Sequence, residues 1–96
     1  MSEVVRLKSV EPVLHGVVKL VWLDGYAAVA DLRPVMAEGD VFAFLRGSAE
    51  RFNSVKLADF GHAITWLDDD GDEVDFGSDQ LRRRAERQAE ILRLAS

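Results

Sequence analysis

Three groups of residues in this 96-residue chain have types and spacings that could do chemistry. They are the acidic run Asp68-Asp69-Asp70-Gly71-Asp72, the histidines His15 and His62, and the arginines Arg82, Arg83, Arg84 and Arg87. The acidic run would suit a hard cation such as calcium, which is bound by several carboxylate and carbonyl oxygens. An EF-hand loop, however, places glycine sixth and acids at its first and twelfth positions. With Gly71 sixth, Trp66 falls first and Gly77 twelfth, so both anchoring ligands are missing. The run reads instead as a solvated acidic turn between strands. Each histidine adjoins a glycine at a turn, with no second histidine four residues on and no H-E-x-x-H pattern. No metal ligand set is expected.

Catalytic groups are equally sparse. The absence of cysteine excludes thiolate nucleophiles, disulfides and Cys-ligated zinc. No serine sits in a G-x-S-x-G elbow, and neither G-x-x-x-x-G-K-[ST] nor G-x-G-x-x-G is present to cradle phosphates. The expectation is therefore no enzyme, no catalytic residue and no cofactor. Trp22 and Trp66 could stack on bases, but large aromatics on strands belong more often to the core. That leaves Arg82, Arg83, Arg84 and Arg87 as the candidate partner-binding residues, because guanidinium forks match carboxylate and phosphate oxygens. The plain alternative is the solvated face of an amphipathic helix.

Composition sets the frame for these residues. With 48% hydrophobic and 30% charged residues, the chain is globular and too evenly charged for a membrane span. Its length suits one domain, 1–96. The net charge is −5, but residues 79–96 hold five arginines against Asp79, Glu86 and Glu90. The tail therefore carries +2 and the rest −7, which disfavours indiscriminate nucleic-acid binding. The opening Met1-Ser2-Glu3-Val4-Val5-Arg6 lacks the basic and apolar regions of a secretion signal, so a cytoplasmic location is expected.

The elements that must position these side chains follow from periodicity. Val5 and Leu7 alternate with Arg6 and Lys8 as in a half-exposed strand, which Glu11-Pro12 perturbs. Residues 17–23 and 26–32 flank Asp24-Gly25, a hairpin signal for a two-residue type I′ turn. That register pairs Trp22 with Ala27 and Leu20 with Val29, placing all four on the core face. Residues 35–53 form a short helical insertion, with Phe42, Leu45 and Phe52 covering the sheet and Asp40 and Ser48 as N-caps. Alternation returns at Val55 and Leu57, at Ile64 and Trp66, and at Val74 and Phe76. Residues 1–77 thus make a β-rich body, and 78–95 a helix that Ser78 caps. Leu81, Ala85, Gln88, Leu92 and Ala95 form its inward stripe. The fold class is α+β: antiparallel meander or hairpins of about five to six strands, short helices and a C-terminal amphipathic helix.

Several of these pieces together resemble a known family. They are Ser9-Val10-Glu11-Pro12, the Asp24-Gly25 turn, Asp31-Leu32-Arg33-Pro34 and Val41-Phe42-Ala43-Phe44-Leu45-Arg46. Further on come Phe52 before Val55, Ile64-Thr65-Trp66, Val74-Asp75-Phe76 and Ser78-Asp79-Gln80-Leu81. The chain is similar across residues 7–81 to the bacterial family catalogued as domain of unknown function 2442. The family usually has a tight Pro-Asn-Gly-like turn after the tryptophan, where this chain has Asp68 to Asp72, and often ends soon after the leucine matching Leu81. The resemblance implies a small α+β fold without established activity. It also implies partners encoded beside it, in toxin–antitoxin style, or an added DNA-binding helix-turn-helix, for which this chain has no room. The expected function is a non-enzymatic protein-interaction or accessory module, the neutralising member of a two-protein system. The alternative is a nucleic-acid-associated regulatory factor that uses the arginine helix. Another protein is expected as partner ahead of nucleic acid, and no membrane partner is expected. The oligomeric state stays open, a homodimer included.

Overall fold

The computed structural model describes residues 6–38 and 42–95, with nothing to report for the Ala95 side chain. Asp40, expected as an N-cap, lies outside them, as do Val5 and Val41. The architecture is α+β, with two three-stranded antiparallel sheets. The first consists of β1 (Leu7–Leu14), β2 (Val17–Trp22) and β3 (Ala27–Asp31), in that order. The helical insertion follows as α1 (Arg33–Met36), α2 (Ala43–Arg46) and α3 (Ala49–Asn53). The second sheet is β4 (Lys56–Leu57), β5 (Ala63–Leu67) and β6 (Glu73–Gly77), and α4 (Ser78–Ala95) closes the chain.

The two sheets share one core. Leu7, Val18, Leu20, Trp22 and Ala30 come from the first sheet, Ile64, Trp66 and Phe76 from the second, Leu45 and Phe52 from the insertion, and Leu81 and Ala85 from α4. Both tryptophans are buried and both indoles are satisfied. Trp66 Nε1 donates to the Phe52 carbonyl at 3.0 Å and Trp22 Nε1 to the Ser78 carbonyl at 3.3 Å. An unpartnered buried donor would be costly, so these bonds fix the ring orientations. Pro12 sits on β1, an edge strand where its missing N–H does no harm. The strand continues past it to Leu14, with a register shift between Pro12 and Leu14. Ser48 caps α3 as expected, its hydroxyl accepting from the Arg51 amide at 3.1 Å.

Three sequence expectations need correction. The hairpin register is shifted by one residue: Leu20 pairs with Ala28 and Val21 with Ala27. Trp22 N donates to the Tyr26 carbonyl and Gly25 N to the Trp22 carbonyl, closing a three-residue loop. Only Gly25 has positive φ there, at 91°, so the turn is not type I′ but the longer kind that ends in a left-handed glycine. A one-residue shift turns every side chain over. Ala28 and Ala30 therefore face the core, while Ala27 and Val29 are exposed. Secondly, Leu92 is 71% exposed, because the core ends before it. Thirdly, Ser78 is buried as the first residue of α4 and its hydroxyl has no hydrogen-bond partner, so it does not cap by its side chain.

Two glycines separate backbone strain from crowding. Gly25 and Gly61 both have positive φ, 91° and 70°. A Cβ on Gly25 would meet nothing, whereas one on Gly61 would overlap the Leu7 carbonyl oxygen where the two sheets meet. Gly25→Ala should cost about 1–3 kcal/mol from strain alone. Gly61→Ala should cost clearly more, because the β1 backbone must move as well. Urea denaturation of the two variants checks the order; equal losses would mean that this junction is loosely packed.

Candidate functional site

Helix α4 carries the candidate residues, and the structure divides them. Its first half is held down by Leu81 and Ala85, which are fully buried. Arg82 belongs to this half. Its guanidinium lies 4.1 Å from the Tyr26 ring centroid and 5.3 Å from that of Trp22, and Nη1 meets Asp24 Oδ2 at 3.0 Å. Stacking on two aromatics and pairing with the hairpin turn commit Arg82 to the fold. Gln88 ends the docked half: Nε2 donates to the Asp31 carbonyl and Oε1 accepts from the Asp31 amide, both at 2.9 Å. One side-chain amide thus stands in for a neighbouring strand at the outer edge of β3.

Beyond Gln88 the helix loses its apolar cover. Ile91, Leu92 and Leu94 are 57%, 71% and 75% exposed. Arg83, Arg84 and Arg87 line one groove of about 720 Å3 with Val35, Phe76, Gln80, Gln88 and Ile91. The Arg84 guanidinium lies 6.0 Å from the Phe76 ring centroid, and Arg83 has an ion-pair contact of 4.0 Å with Asp79. Among the described residues no carboxylate lines this groove. On the other flank of α4 a second groove, about 660 Å3, is lined mainly by apolar groups including Leu14, Val29, Ala89 and Leu92.

The remaining candidates fall elsewhere. Asp68, Asp70 and Asp72 bring carboxylate oxygens within 4.8 Å of one another. Asp68 Oδ1, however, accepts from the amides of Asp70 and Asp72, both at 2.9 Å, and Asp69 pairs with Arg51 at 2.8 Å. These bonds shape the turn, and Asn or Asp side chains commonly do so. His15 is half-buried and not merely a turn residue: its Nε2 lies 2.6 Å from the Leu45 carbonyl, and its ring is edge-on to Phe52. A carbonyl can only accept, so Nε2 carries the proton. His62 is exposed beside Phe60. No described helix is long and apolar enough to cross a membrane. Gln88 and Arg82 do more than the sequence reading assigned them. Gln88 was the one polar position in the inward stripe, which is the signal that could have marked it.

The class these features define is an α+β domain of two small antiparallel sheets with a helix docked by half its length. No family model, curated protein or solved structure compared with the chain matches it.

Two carboxylates are held below their ordinary value of 3.8. The Tyr26 amide, and then Arg82, favour the ionised form of Asp24, while the Arg33 side chain and amide do so for Asp31. A depressed folded-state value means that the stabilisation is present above the unfolded value and is lost as pH falls through the folded one. Asp24→Asn keeps an acceptor for Tyr26 but loses the charge. The stability gap between it and the parent should be full near neutrality and close below pH 3.8. Urea melts across that range check this; a gap independent of pH would remove the ionic contribution.

Proposed function

We propose that this chain is a non-enzymatic protein-interaction module that holds an acidic segment of a partner protein against the arginine face of α4. The observation that carries the reading is the convergence of Arg83, Arg84 and Arg87 on one groove that no carboxylate among the described residues lines, with Phe76, Val35 and Ile91 supplying apolar contact. Exposed arginines add little to stability, since surface pairs are worth about 0–1 kcal/mol. They add much to recognition through bidentate bonds to carboxylates. In the two-protein setting that the family resemblance implies, the module would be the accessory, neutralising member. Duplex nucleic acid is the weaker candidate, because the −7 carried outside the helix opposes a long polyanion more than a short acidic segment.

The test replaces Arg83, Arg84 and Arg87 together with glutamate and titrates parent and variant with a glutamate-rich peptide and with duplex DNA. The parent should prefer the peptide. The variant should keep its circular dichroism spectrum and melting temperature and bind the peptide at least about tenfold more weakly, as expected when interfacial charges are reversed. Unfolding of the variant, or unchanged peptide binding, would make the helix structural only. Preference for DNA would favour the nucleic-acid reading.

A further inference from the structure

Among the described residues β6 is an edge strand, and its outer side adjoins the arginine groove through Phe76. The ladder between β5 and β6 is bracketed by two bonds, Ser78 N to the His62 carbonyl and Asp68 N to the Asp72 carbonyl. Antiparallel pairs alternate between bonded and non-bonded. Ile64 with Phe76, and Trp66 with Val74, are then the bonded pairs between the brackets. Glu73, Asp75 and Gly77 therefore turn their amides and carbonyls outward. No described residue hydrogen-bonds those of Glu73 or Asp75, whereas on the outer edge of β3 Gln88 bonds both backbone groups of Asp31. The side chains alternate in the other sense. Val74 and Phe76 face inward, Phe76 lying under Arg84, while Glu73 and Asp75 are exposed and have no ion-pair partner among the described residues.

We propose that β6 receives an extended segment of the partner protein as an added strand, and that the segment alternates acidic and basic residues. The proposal rests on the arginine-groove reading and specifies how the groove is filled. An added strand lies about 4.8 Å from β6, and its side chains alternate between the two faces. On the face of Val74 and Phe76, the side chain beside Phe76 meets Arg83, Arg84 and Arg87, so this face must be acidic or apolar. The side chains beside Glu73 and Asp75 meet carboxylates and must be basic. Backbone bonds to the outward amides and carbonyls supply affinity, and charge of period two supplies register and selectivity. Charges on an edge strand also deter unwanted pairing, so a segment lacking the complementary basic face fills the groove without adding to the strand and is held less tightly.

The test uses a short peptide alternating glutamate and lysine and two derivatives, one N-methylated at every glutamate and one at every lysine. Each derivative loses the amides of one edge only, at constant charge. Fluorescence anisotropy should show the parent peptide and one derivative binding equally and the other weakened by about tenfold or more. Asp75→Lys in the protein should weaken the parent peptide and leave folding intact. Equal affinities for the two derivatives would overturn strand addition. If polyglutamate binds and the alternating peptide does not, the arginine groove stands and this proposal falls. If neither binds, both fall.

Discussion

The structure turns on Trp22. Each three-stranded sheet has an apolar inner face and must bury it against something else. Trp22 comes from the first sheet, is fully buried, and donates its indole N–H to the carbonyl of Ser78, where the second sheet passes into α4. Tyr26 and Arg82 pack against the same ring, and Arg82 reaches on to Asp24 in the hairpin loop. One side chain therefore ties the turn of the first sheet to the helix that leaves the second. It also sets where α4 starts and which way it faces.

That anchoring has a consequence for the rest of the helix. Docking by Leu81, Arg82, Ala85 and Gln88 uses one stripe and about half of the length. The arginines next in sequence are directed to a different side, beside Phe76 and the free edge of β6. The helix thus fulfils two demands that compete in a small protein. The docked half completes a core that a chain of this size can barely supply, and the projecting half remains available as surface. The two sheet edges differ similarly: on β3 Gln88 bonds both backbone groups of Asp31, whereas on β6 the outward backbone groups of Glu73 and Asp75 and their carboxylates have no bonding partner among the described residues.

The sequence showed which residues alternate but not what they alternate against. Trp22, Leu20, Trp66 and Leu81 were legible as core because period-two and helical spacing are local signals. The register of β2 and β3 was not, since Asp-Gly serves both a two-residue loop and the tail of a three-residue one. Only the bond from Trp22 to Tyr26 distinguishes them. Leu92 continued the apolar stripe faithfully; periodicity reports a face and not how far the opposing surface extends. Arg82 looked like its neighbours, because its partner Asp24 lies 58 residues away. The arginine cluster was visible as charge, while its gathering around Phe76 and Val35 depends on how the helix packs.

The claim that α4 is half anchor and half exposed surface is tested most directly by truncating its two leucines separately. Leu81→Ala should lower unfolding free energy by about 2–5 kcal/mol, the range for a fully buried leucine. Leu92→Ala, at a site 71% exposed, should change it by no more than about 0.5 kcal/mol. Comparable losses at both positions would contradict the account, since the helix would then be docked along its whole length.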